Sequence, residues 1–144
     1  MQFRNRQQEQ AYKQVSVWVR ELFGEMAQPK ENAPVFTMIF GSAAVHIQVL
    51  PWNDTAIINF RSNVVMGPEK DEELLHWLLR ENWDMRFGTF GLDKDGDVFF
   101  DYTVPFTGCS KQSLKDYVMA VVITADRYDD KIVARWGGRK YIDD

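Results

Sequence analysis

Apolar side chains recur every three or four positions across residues 7–26, at Tyr12, Val15, Trp18, Val19, Leu22, Phe23 and Met26. That spacing predicts an amphipathic helix. The segment "QPKENAP" breaks it, with Pro29 and Pro34 as punctuation. The period then changes to two. Residues 35–40, 45–50 and 55–65 read as strands, joined at "GSA" and at "PWND", where Pro51, Asn53 and Asp54 are turn formers. "GPEKDEELLHWLLREN" returns to helical spacing. Pro68 suits its first turn, Glu69, Asp71, Glu72 and Glu73 complement the positive end of its dipole, and Leu74, Leu75, Leu78 and Leu79 supply a stripe expected to be buried. Two more strands follow, over about 85–92 and 97–104. Ser110 is a fitting N-cap for a last helix with its stripe at Leu114, Tyr117, Val118, Val121, Ala125, Tyr128, Ile132 and Trp136, and Gly137-Gly138 stops it.

The order α-β-β-β-α-β-β-α, with short loops between strands, predicts antiparallel neighbours. Helices must cover one apolar face of the sheet. The expectation is a single α+β domain over residues 1–144: an antiparallel five-stranded sheet with helices packed on one face.

"LDKDGDVFF", Leu92 to Phe100, carries Asp93, Asp95 and Asp97 around a glycine and invites a calcium reading. An EF-hand loop needs glycine at its sixth position and a glutamate at its twelfth. Counted from Asp93, those positions hold Val98 and Val104. The alternating flanks instead favour a hairpin with Asp95-Gly96 as a two-residue turn. That register sets Leu92 opposite Phe99, Phe90 opposite Asp101, Thr89 opposite Tyr102 and Phe87 opposite Val104. One face then holds Phe87, Phe100, Tyr102 and Val104 for the core, and the other mixes Arg86, Leu92, Phe99, Asp101 and Thr103.

Composition narrows the classes. The chain has 144 residues, 45% hydrophobic, and a net charge of −4 with both signs interspersed, enough for one packed core. No basic cluster marks a nucleic-acid footprint. Residues 33–53 carry no Asp, Glu, Lys or Arg, long enough to span a bilayer. Pro34, Gly41, His46, Gln48 and Pro51 within that run fit two buried strands better than a membrane helix. The first ten residues, "MQFRNRQQEQ", contain no apolar stretch of a secretory signal. One cysteine, Cys109, excludes an internal disulfide. A cytoplasmic protein binding neither nucleic acid nor membrane is expected.

The block from Glu73 to Ile132 resembles the YbjN family, which shares the fold of type III secretion chaperones. The resemblance rests on the Leu-rich helix ending near Asn82, the hairpin "FGTFGLDKDGDVFF" and the helix containing "ADRYDDKI". It implies a small acidic homodimer that binds extended segments of a partner protein, with chaperone-like or regulatory roles and no catalytic motif.

Candidate chemistry is sparse. Cys109 precedes a helix start, where a thiolate is favoured, but a nucleophile needs a base and only His46 and His76 are available. Two histidines and one cysteine offer no paired spacing for zinc. Asp126, Asp129 and Asp130 stand at helical spacing, most simply as a solvated face beside Arg127 and Lys131. "GTFG" lacks the Lys-Ser/Thr of a phosphate loop, so its glycines mark a bulge or a close backbone approach. No cofactor or metal is expected. Trp52, Trp77, Trp83, Phe90 and Phe99 exceed the assigned core faces, either because the registers differ or because they form an apolar binding patch. The expected protein-binding surface is His46, Ile57, Phe90, Leu92 and Phe99. The alternative is an enzyme built on Cys109 with His76, or on the Asp126/Asp129/Asp130 cluster.

Overall fold

The computed structural model describes residues 1–141. Helix α1 (Arg6–Phe23) starts where the Asn5 side chain accepts from the Gln8 amide, and a short 3-10 turn, Gly24–Met26, ends it. Strands β1 (Gln28–Pro29), β2 (Val35–Phe40), β3 (Ala43–Trp52) and β4 (Thr55–Met66) follow. Then come α2 (Glu72–Asp84), β5 (Thr89–Leu92), β6 (Val98–Pro105), α3 (Lys111–Trp136) and β7 (Arg139–Lys140). The sheet is antiparallel with the order β1-β2-β3-β4-β6-β5, and β7 pairs with β4. The expected α+β architecture is present with seven strands in place of five. The two additions are dipeptides, too short to show any period. One contains Pro29, which an edge strand tolerates.

One face of the sheet is packed. Ala11, Val15 and Val19 of α1 and Leu114, Val118, Val121 and Ile132 of α3 are buried with Phe36, Met38, Val45, Ile47, Val49, Ile58, Phe60 and Phe100. Apart from Ala11, each such side chain contributes about 1.5–3 kcal/mol on leaving water. Ser110 caps α3, sharing a reciprocal capping box with Ser113.

Helix α2 departs from expectation in start and phase. Its cap is Asp71, whose side chain accepts from the Leu74 amide, so Pro68 and Glu69 precede the helix. The Glu69 amide is instead bound by the Trp136 carbonyl at 2.7 Å. Leu74 and Leu78 are buried, whereas Leu75 and Leu79 face outward at 41% and 69% exposure. Adjacent leucines lie 100° apart on a helix, so a pair of neighbours cannot both point at one core.

The β5–β6 hairpin is shifted by one residue. Phe90 stands opposite Phe100, and Leu92 opposite Val98. The loop contains three residues between Asp93 and Asp97, not two. The Asp93 carbonyl accepts from Gly96 N at 3.0 Å, the Asp93 amide donates to the Asp97 carbonyl, and Gly96 alone takes a positive φ of 83°. This is a turn followed by a left-handed glycine, the common three-residue hairpin. Asp93 selects it, because its carboxylate accepts from the amides of both Asp95 and Asp97. A slip of one residue turns every side chain of β5 over.

Both long edges of the sheet are handled differently. On β5, the Asn82 amide of α2 accepts from Phe90 N at 2.6 Å and donates to Phe90 O at 3.1 Å, standing in for a neighbouring strand. On β2, β1 pairs only with Phe36 and Thr37, so residues 38–40 have no strand partner on that side among the described residues.

Candidate functional site

The helices leave the second sheet face uncovered, and the register arranges its side chains in rows across the strands. Thr37, His46, Arg61 and Asp101 form one row, and Val35, Gln48, Asn59 and Thr103 the next. Beyond them lie Ile39 and Ala44 with Asn63 and Phe99 on one side, and Leu50, Ile57 and Pro105 on the other. The face therefore has a polar centre between two apolar ends, extended by exposed Ile39 and Trp52.

The centre is cross-linked. The Arg61 guanidinium donates to Asp101 Oδ2 through Nη2 at 2.8 Å and Nε at 3.2 Å, and lies 3.9 Å above the Phe99 ring. Asn59 Nδ2 donates to Asp101 Oδ2 at 3.0 Å and Thr103 Oγ1 at 2.9 Å. Asn59 is 5% exposed, and its Oδ1 is buried with no partner among the described residues. The Phe99 ring also covers Gly91, where a Cβ would come within 2.5 Å of Phe99 Cζ. The expected close approach at this glycine is thus a ring lying on backbone, which holds Phe99 flat beneath Arg61. His46 Nδ1 lies 2.9 Å from Thr37 Oγ1. Burial, then the charges of Lys30 and Arg61, holds the His46 imidazole below its ordinary pKa.

Of the five residues expected at the surface, His46, Ile57 and Phe99 are brought together on this face. Phe90 and Leu92 are not. Phe90 is 5% exposed, with its ring 5.0 Å from those of Phe100 and Tyr128. Leu92 packs against the same core. The one-residue shift moved both across the sheet. Sequence reasoning set Asp101 on the mixed face without assigning it to the surface and missed Asn59 and Arg61, although the alternation Ile57-Asn59-Arg61-Asn63 against Ile58-Phe60-Ser62 in β4 contains the signal.

The enzymatic candidates are dispersed. Cys109 contacts the Ser110 carbonyl and the Ser113 hydroxyl, and burial raises its thiol pKa, opposite to an activated nucleophile. His76 faces Glu72 on α2, and His46 belongs to the open sheet face. Asp126 and Asp130 are exposed, but Asp129 is 3% exposed, correcting the solvated reading for that residue. It accepts from Ser42 Oγ at 3.2 Å and from the Asp130 amide at 2.6 Å, and burial raises its pKa. Among the described residues, one acidic trio brings its oxygens within 4.8 Å, Asp93, Asp95 and Asp97. Asp93 Oδ1 is engaged as the turn acceptor for the Asp95 and Asp97 amides, and Asp97 Oδ1 receives the Gly67 amide at 2.7 Å. Among the described residues no helix is long and apolar enough to cross a membrane.

This sheet, with one face under helices and one face open, has solved counterparts. Solved structures that share it include the ExsC-ExsE complex, at a TM-score of 0.68 and 14% identity over 84% of this chain and 95% of that one. The HopA1-SchA chaperone-effector complex aligns at 0.64 and 14% identity, over 83% of this chain and 94% of that one. The Yersinia pestis type III secretion chaperone SycH, in complex with a stable fragment of YscM2, aligns at 0.59 and 16% identity, over 81% and 98%. At such identities the likeness is one of fold. The chain belongs to the TY-Chap1 family, T3SS (YopN, CesT) and YbjN peptide-binding chaperones, whose pattern matches residues 9–144. No individually curated protein matches it.

Proposed function

We propose that this protein is a non-enzymatic, chaperone-like binding module that holds an extended segment of a partner protein on the open face of its sheet. The observation that carries the reading is the row pattern of that face. Apolar positions at Ile39 and Phe99 and at Leu50 and Ile57 flank a centre of Gln48, Asn59, Arg61 and Asp101. An extended chain presents alternating side chains and a full set of backbone donors and acceptors. Its apolar side chains fit the two ends, and its amides meet the polar rows that contain Gln48, Arg61 and Asp101. Membership in a peptide-binding family, and structures of similar fold solved as a chaperone-effector complex and with a fragment of another protein, support the same reading. A cytoplasmic setting fits the single free thiol, Cys109.

The test begins with peptides selected from a displayed random library on the immobilised chain. Ile57→Glu and Phe99→Glu are expected to weaken a selected peptide at least about tenfold, since each places a charge where an apolar side chain docks. Binding unchanged in both variants, with the fold retained by circular dichroism, contradicts the proposal.

Action as a homodimer is part of the same proposal, and α2 supplies its surface. Leu75, Leu79 and Trp83 form an outward row at four-residue spacing, and Trp83 is 88% exposed. Two such helices packed antiparallel about Leu79 set Leu75 of one against Trp83 of the other. Light scattering is expected to give a two-chain mass for the wild type and a single-chain mass for Trp83→Glu. A single-chain mass for the wild type at all concentrations contradicts this part.

A further inference from the structure

Strand β7 occupies the stretch of β4 that β3 leaves uncovered: Lys140 pairs with Val65 and Arg139 with Met66, whereas β3 stops opposite Ser62. The pleat sends successive side chains to opposite faces. Lys140 turns to the helix side, where its Nζ lies 2.8 Å from Asp130 Oδ1, with Asp126 and Asp129 on the same helix. Tyr141 turns to the open face, its ring edge-on to His46 at 6.2 Å between centroids and 88° between planes. Gly138 lets the segment seat closely: it holds φ at +82°, and a Cβ there would come within 2.5 Å of the Met66 carbonyl.

The geometry points to a strand-exchange slot: β7 is a resident occupant, and the same slot takes an extended partner segment carrying a lysine followed by an aromatic residue. The recognition is legible in the resident. A cation meets the acidic face of α3 on one side of the strand, and a ring meets His46 on the other. The hold is weak enough to exchange. It consists of two register pairs, the close seating of Gly138, one edge-on ring contact and an ion pair whose Asp130 is 75% exposed. Exposed pairs of this kind contribute about 0.2–1 kcal/mol. The slot adjoins the proposed peptide face at His46, so the inference rests on that reading in one respect: a bound partner that also spans the slot must first displace β7. Its affinity is reduced by the fraction of molecules with β7 in place.

The probe is a fluorescein-labelled peptide with the sequence of residues 137–144, GGRKYIDD. It is titrated by fluorescence anisotropy against the full chain and against the full-length Lys140→Glu/Tyr141→Ala double variant, whose own strand is repelled by Asp130 and has lost its ring. The double variant is expected to bind the probe at least about tenfold more tightly than the wild type, because the tethered strand competes at a millimolar effective concentration. A control peptide with the same two replacements is expected not to bind. Equal binding to both chains, or none to a double variant that retains the wild-type circular dichroism, overturns the inference. If the double variant does not fold, Tyr141→Ala alone in the full chain replaces it, with the same two outcomes. Ile57 and Phe99 are untouched throughout, so this test and that of the proposed function can fail separately.

Discussion

His46 illustrates how one position reports on its surroundings. Burial and the positive charges of Lys30 and Arg61 all disfavour its protonated form, so its folded pKa lies below the 6.5 of the unfolded imidazole. As pH falls through 6.5, the unfolded chain takes the proton first and the native state loses stability. That loss continues until the pH is below the folded value, and the contribution is fully present above 6.5. His46→Gln keeps a polar partner for Thr37 and removes the titration. Its urea midpoint is therefore expected to fall less than that of the wild type between about pH 7.5 and about pH 5. Equal falls in the two proteins contradict the electrostatic account of this face. Asp93 makes the complementary point about legibility. Its identity as a turn former is readable from sequence, but its choice of a three-residue loop is decided by two side-chain hydrogen bonds to amides beyond it.

Elements were legible to the extent that their period was long enough to measure. The stripe of α3, with its Ser110 cap, is found as expected because eight apolar positions constrain its phase. Helix α2 has only 13 residues and two adjacent leucine pairs, so the period identifies a helix without saying which leucine of each pair is buried. For β5, alternation identifies a strand, while its facing depends on the loop and flips with one residue. Asn82 then fixes the outer side of that strand. Asn82→Ala leaves the Phe90 N–H and C=O without these partners and is expected to cost about 1–3 kcal/mol in chemical denaturation. It also opens an edge for intermolecular pairing, so the variant is expected to associate at concentrations where the wild type does not. Unchanged stability and unchanged mass contradict this role for Asn82.

At the scale of the whole molecule, the alternation of helical and strand periods was sufficient for the α+β class and for the family resemblance that the match over residues 9–144 shows. The binding face was only partly legible, because it is made of rows, not of segments. Thr37, His46, Arg61 and Asp101 come from four strands and become neighbours only once three registers are set. Phe99 was readable as a leftover from the core and His46 and Ile57 as mixed-face positions, whereas Asn59, Arg61 and Asp101 looked like ordinary polar positions of strands. Backbone amide exchange of the chain, with and without a library-selected peptide, tests the central claim most directly. The account predicts slowed exchange and shifted signals concentrated in β3, β4 and β6 around residues 44–50, 57–63 and 99–103, with α1 and α3 unaffected. Protection confined to the helices, with those strand residues unchanged, would contradict it.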